Sequence, residues 1–197
     1  MTGAGNRKDR GMRGLGRIGT AALLALALGG CLGLGGGKPP PSLFNLTAAK
    51  TASAGAEARG TSAAVLMVME PETDRRLAVQ RVPVQVSASE VAYLKGALWV
   101  ERPARLFRSL LAETLRAESR GLVLEDDQSA SPAAVRLGGR LVEMGYDALR
   151  TGPNGAVATR RFESVVPGVS ADPKSVAPAL NRAANDVAAQ VAAWMAG

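Results

Sequence analysis

The chain has 197 residues, with one cysteine, no histidine, and 24 Lys and Arg against 17 Asp and Glu. A single cysteine excludes an intramolecular disulfide, and the lack of histidine removes the usual means of building cysteine-nucleophile, zinc and serine-triad sites. The formal net charge of +7 is concentrated at the start: residues 1–30 carry five basic residues and one acid, and beyond them basic and acidic side chains are interspersed without a block, so the high pI does not indicate nucleic-acid binding.

The first element has the order of a secretory leader. Arg7, Lys8, Arg10, Arg13 and Arg17 form a basic region, an apolar run follows from Ile18 to Leu28, and Gly29 and Gly30 precede Cys31. The run is shorter than the roughly 20 apolar residues a bilayer core requires. Glycines from Gly29 to Gly37 and the triple proline Pro39 to Pro41 end any helix soon after Cys31. Leu28, Gly29, Gly30 and Cys31 resemble the bacterial lipobox, in which the cysteine receives a diacylglycerol and, after cleavage, an N-acyl chain. That resemblance gives the lone sulfur a role as lipid-attachment site, with no other cofactor expected. Leu32 in place of an aspartate then implies the outer membrane, on its periplasmic side. Residues 1–30 are thus expected to be a lipoprotein signal peptide, 31–42 the lipidated cysteine with its Gly/Pro-rich tether, and 43–197 a single folded domain.

"SLFNLTA" suggests a first short strand around Leu43 and Phe44, and the small, polar stretch from Ala48 to Ala64 a loop. "AVLMVME", Ala64 to Glu70, predicts a strand buried on both faces. "RVPVQVS" alternates Val82, Val84 and Val86 on one face, with Pro83 indicating an edge or a strand start. "SEVAYLKGALWVE" is expected to form a hairpin of its own, turning at Lys95 and Gly96. From Pro103 the period becomes helical through Leu106, Phe107, Leu110, Leu111, Thr114 and Leu115, predicting a helix to about Arg120 that Gly121 stops. "LVLEDD" follows as a short strand whose Glu125, Asp126 and Asp127 face water in a turn.

"AAVRLGGRLVEMGYDA" is expected as one long strand. Its apolar parity changes from Val135, Leu137 and Leu141 to Val142, Met144 and Tyr146, a shift that a bulge at Gly138 and Gly139 permits. After the turn "TGPNG", "AVATRRFESVV" places Ala158, Phe162 and Val166 on one face of another strand, with Arg160 and Arg161 on opposite faces. A final helix carries an apolar stripe of Val176, Leu180, Ala183, Ala184, Val187, Val191 and Trp194, with Pro178 in its first turn or at a kink; Asn181, Arg182, Asn185, Asp186 and Gln190 fall mainly on the other side. The fold class is therefore α/β with α+β character: a single domain with a mixed, mostly antiparallel sheet packed by two main helices.

Motifs that would signal chemistry fail on context. "GLGRIG", Gly14 to Gly19, matches a dinucleotide fingerprint but follows no strand, and "GGGK" lacks both the first glycine and the final Ser or Thr of a phosphate loop. Glu125, Asp126 and Asp127, like Glu70, Glu72 and Asp74, lack calcium-loop spacing and are expected as solvated turns, so no metal site and no catalytic residue is assigned. Tyr93 and Trp99 are candidate partner contacts, core packing being the expected alternative and the favoured one for Trp99.

The lipobox, "VAYLKGALWVERPARLFRSLLAETL", "RRFE" and the terminal "ALNRAANDVAAQVAAW" occur here in an order that resembles the ABC-type transport auxiliary lipoprotein family, over nearly all of Cys31 to Met195. The resemblance implies an α/β fold with a sheet and two main helices. It also implies an outer-membrane-anchored periplasmic auxiliary component of an ABC-type lipid transport system. Its partner would be a cell-entry-domain substrate-binding protein, with that transporter's permease and ATPase, homo-oligomerisation staying open. The family pattern has a further strand between the "GYDA" and "RRFE" strands, where this chain has only "LRTGPNG", so either the sheet has lost a strand between Ala148 and Ala156, leaving an open edge, or that strand is supplied differently. The alternative function is a periplasmic lipoprotein module that itself binds a lipid or apolar ligand; an enzyme is not expected.

Overall fold

The computed structural model describes residues 42–61, 65–119, 121–128, 133–143 and 145–197. The leader, Leu28, Gly29, Gly30, Cys31 and the tether up to residue 41 lie outside the described residues, as do Ala64, Arg120 and Met144.

The elements in chain order are β1 (Val65–Val68), β2 (Glu72–Thr73), β3 (Arg81–Ser87), β4 (Glu90–Leu98), α1 (Pro103–Glu118), β5 (Leu122–Glu125), β6 (Val135–Val142), β7 (Gly145–Thr151), β8 (Val157–Phe162) and α2 (Pro173–Ala196). The main sheet runs β5-β1-β6-β7-β8, and β2 also pairs with β6. β1 is parallel to both neighbours, whereas β6, β7 and β8 form an antiparallel meander; β3 and β4 make a separate antiparallel pair. The uninterrupted "VLMV" of β1 follows from this position, since an internal parallel strand is covered on both faces. The mixed α/β domain with two helices agrees with the expectation from pattern.

Both helices start where local chemistry favours it. Pro103 and Pro173 each sit in a first turn, and the Asp172 side chain accepts from the backbone N–H groups of Lys174 and Ser175. Those bonds, with the Ser175 hydroxyl leading, hold the Asp172 carboxyl below its ordinary range. Pro178 lies in the second turn of α2, inside the helix. The apolar faces meet the sheet through Phe107 against Tyr146 at 5.2 Å and Phe162 against Trp194 at 5.7 Å, with Leu111, Leu137, Leu141, Val187 and Val191 filling the space between. Burial pushes the Tyr146 phenol well above its usual range, and its hydroxyl donates to the Gly138 carbonyl at 2.5 Å.

Four expectations about strands are corrected. "SLFNLTA" forms no strand: Phe44 makes one isolated parallel bridge to Trp99. The hairpin turns at Ala88 and Ser89, not at Lys95 and Gly96, because Gly96 at φ +74° is absorbed as an irregularity in a continuous β4. Pro83 is indeed at a sheet edge, and Val82, Val84 and Val86 grade from buried to 57% exposed as the hairpin leaves the body. Val166 lies past the end of β8 and is not part of its face.

The long strand over 133–148 is two strands. Val142 pairs with Gly145 across a two-residue connection beginning at Glu143, whose φ of +50° suits a tight hairpin turn. The change of apolar parity therefore marks a reversal of the chain and not a bulge; without an Asn-Gly or Asp-Gly pair the turn carried no usual signal. β7 then continues to Thr151 and meets β8 directly, so no strand intervenes between Ala148 and Ala156.

Of the two glycines of β6, Gly139 serves close approach to β7. At Gly139, φ is +146° and a Cβ would stand 2.0 Å from the Asp147 carbonyl oxygen, whereas at Gly138 it would meet the Met69 side chain at an ordinary 3.7 Å. Gly139→Ala is expected to lower the urea midpoint strongly, backbone strain alone costing about 1–3 kcal/mol before the clash is relieved. Gly138→Ala should leave it nearly unchanged, and equal midpoints for the two variants would refute this account of the β6–β7 ladder.

Candidate functional site

The segment that would follow the tether is fastened to the body by side chains reaching its backbone. Phe44 N–H donates to the Leu98 carbonyl at 2.7 Å and the Val100 N–H donates to the Phe44 carbonyl at 2.8 Å. Thr47 N–H donates to Asn181 Oδ1 at 2.8 Å, Ala49 N–H to Asn185 Oδ1 at 2.7 Å, and Asn185 Nδ2 to the Thr47 carbonyl at 2.9 Å. Ala52 N–H donates to Glu113 Oε1 at 2.8 Å, and Lys50 pairs with Glu118. A non-repetitive arm has no ladder to satisfy its amides; here α2 and then α1 supply the partners. Two of the arm's own side chains, Phe44 and Leu46, are buried. The helix side marked only as polar in the sequence is thus the arm's dock.

The two candidate contact aromatics separate. Trp99 is 3% exposed and meets Phe44 edge-on, ring centroids 5.5 Å apart at 89°, so it belongs to the core at the base of the hairpin. Among the described residues, its Nε1 is a buried polar side-chain atom without a hydrogen-bond partner. It borders a pocket of about 160 Å³ with Leu77, Val82 and Leu180, rimmed by Arg76, Gln85 and Glu143. Tyr93 is half-buried on β4, paired in register with Pro83 and covered by the Arg81 guanidinium 4.0 Å from its ring. Beyond it, residues 85–92 are all exposed.

A second constellation sits where β5 ends. Arg108, on α1 with a side chain 5% exposed, donates from Nε to Glu125 Oε2 at 3.1 Å and from Nη2 to Asp127 Oδ2 at 2.7 Å, and Nη1 engages Asp126. Arg116 Nη2 reaches Glu125 Oε1 at 3.1 Å, Ser109 Oγ donates to Glu125 Oε2 at 3.0 Å, and Glu70 N–H donates to Asp126 Oδ2 at 3.0 Å. Burial opposes the Arg108 charge, but Asp127, Asp126 and Glu125 more than restore it, and its pKa stays above the ordinary arginine value. The expectation of a solvated acidic turn is corrected here: Asp127 is half-exposed, but Glu125 is 8% exposed because β5 delivers it under α1. The signal for this was an arginine beside Phe107 within an apolar stripe, followed by three acids. Its chemistry is charge neutralisation between α1, β5 and the exit of β1.

The other acidic group stays near the surface, Glu70 pairing with Arg102 at 3.2 Å and Asp74 with Arg76 at 2.9 Å. Among the described residues, no three His, Cys, Asp or Glu side chains are placed to hold a metal ion, and no helix is long and apolar enough to cross a membrane. Arg160 and Arg161 both lie at the surface. Arg161 forks onto Asp147 across β7 and β8 at 2.6 and 2.9 Å, lowering that carboxyl, and Arg160 stands 5.3 Å from the Phe162 ring.

At the opposite end, where both helices finish, a pocket of about 440 Å³ opens between Leu66, Leu115, Val135, Ala192 and Met195. Its walls are mainly apolar.

No family model and no curated protein sequence matches the chain. Solved structures do share its fold. The crystal structure of protein XCC0632 from Xanthomonas campestris, carrying the family designation DUF330, superposes with a TM-score of 0.63 at 18% identity, covering 78% of this chain and 94% of that one. The crystal structure of an uncharacterized protein gives a TM-score of 0.58 at 14% identity, covering 78% and 96%. The described domain therefore has the fold of those two structures.

Proposed function

We propose that this chain is an outer-membrane-anchored periplasmic lipoprotein, the auxiliary component of an ABC-type, cell-entry-domain lipid transport system, and that it docks the transporter to the membrane. The observation that carries the reading is the lone Cys31 in a lipobox-like setting, set eleven residues ahead of Ser42, where a domain begins whose first residues are fastened to its helices. The arrangement of sheet and two helices matches what the family resemblance implies. A DUF330 structure of the same fold adds support at the level of architecture.

Its action is positional. Acyl chains on Cys31 confine the domain to a surface and raise the effective concentration of a partner held near that surface. The arm's bonds to Asn181, Asn185 and Glu113 pass any pull from the tether to both helices.

Crosslinking and co-purification from native membranes, with Cys31 intact and partners identified by mass spectrometry, tests this. A cell-entry-domain protein in the product is the expected result; its absence when the anchored protein is recovered in yield would overturn the partner assignment. The pocket of about 440 Å³ favours a second reading, in which the module itself holds an apolar ligand, since its size and lining suit one. Native mass spectrometry showing a lipid retained by the domain, with no protein partner, would move the assignment there.

A further inference from the structure

The chain enters the domain alongside the β3–β4 hairpin. Phe44 bridges Trp99 in the parallel sense, so the chain before Phe44 lies beside the residues before Trp99 and leaves the body along β4 toward its hairpin. From Ser42 back to Cys31 the chain takes eleven steps, a reach of about 35 Å when extended. From Ala97 to the turn at Ser89 is a strand length of about 25 Å. An extended stretch of this length is thus enough to span the hairpin, with little to spare.

At the hairpin tip, residues 85–92, "QVSASEVA", carry a single charge, Glu90, and expose Val86 at 57% and Val91 at 41%. Below them Tyr93 lies under the Arg81 guanidinium, and Lys95 is exposed. A tip of small and uncharged residues that exposes two valines, with one acid, above an aromatic and basic collar suits the boundary of acyl chains and headgroups.

We infer that the β3–β4 hairpin is a membrane-contacting element: its tip dips into the lipid surface that holds Cys31 and orients the domain on it. The inference rests on the anchor reading above. Two valines give too little apolar area to bind a membrane unaided, so the hairpin sets tilt and facing while the acyl chains supply retention. The helix C-termini and the larger pocket then point away from the bilayer, toward the periplasm.

The test uses the full lipidated chain in phosphatidylethanolamine–phosphatidylglycerol vesicles. With the Cys31 sulfur acylated, a cysteine introduced as Val86→Cys, Val91→Cys or, as control, Val157→Cys on β8 is the sole free thiol and takes one polarity-sensitive fluorophore. Flotation reads the anchor; quenching reads the hairpin. Labels at 86 and 91 should shift to the blue, be quenched by lipid-borne nitroxide and lose quenching by aqueous iodide, with the label at 157 showing the reverse. Floating protein whose labels at 86 and 91 meet iodide as freely as the label at 157 overturns the hairpin contact and leaves the anchor standing. Labels shielded from both quenchers mean a protein occupant and equally overturn it. Failure to float overturns the anchor, and the hairpin contact with it.

Discussion

Arg108→Ala is expected to be the most destabilising single substitution in the domain, lowering unfolding free energy by about 3–5 kcal/mol in urea titrations. The reason is what remains after the change. Glu125, 8% exposed and fixed by β5, would keep Arg116 and Ser109 but lose its best-buried cation, while Asp126 and Asp127 would be left beside a void. Most of that cost is the uncompensated charge, not the worth of the ion pair itself, because bringing the pair out of water was costly to begin with. A specific comparison follows. Combining Arg108→Met with Glu125→Met should recover a large share of the loss, since apolar replacement of a buried pair is often near neutral. A double variant as unstable as Arg108→Ala would show that the cluster stabilises by its hydrogen bonds to the β1 exit and not by charge balance.

The second large effect concerns location. Cys31→Ser removes every site for acylation on sulfur, and cells expressing it should yield the protein in the soluble fraction after membranes are sedimented. Burial of acyl chains is worth about 0.8 kcal/mol per methylene, and one chain alone gives only marginal binding, so losing the modified cysteine takes away essentially all retention. The exposed valines of the hairpin do not replace it. Intact-mass measurement of the wild-type chain should show Cys31 as the first residue, bearing diacylglycerol and an N-acyl chain. A serine variant that stays with the membranes would sink the anchor reading, whatever the fold.

Much of the fold was legible because it depends on local period. α1 follows from apolar residues at helical spacing behind Pro103, α2 from the apolar stripe that begins at Val176, and β1 from an apolar run short enough to be a strand. The misjudged regions were those where local pattern has two solutions. Glycine within an apolar stretch can bend a strand, turn it or let another backbone approach: Gly96 proved to be an irregularity in β4, and Gly139 a point of contact with β7. Glu143, at positive φ without glycine, hid the β6–β7 turn altogether.

The sequence by itself determined the class of domain, its two helices, the chain order of its main apolar segments and the lipobox-like setting of Cys31, all of which are written in neighbouring residues. Only the tertiary structure decided that Glu125 goes under α1 with Arg108, that Trp99 is core and Tyr93 peripheral, and that Asn181 and Asn185 hold the arm 134 and 136 residues away. The physical reason is common to all three. A charge or an amide shows its preference for a partner in sequence, but which partner it meets depends on where sheet order and helix packing deliver the two, and a buried polar group must find one within the fold it is given.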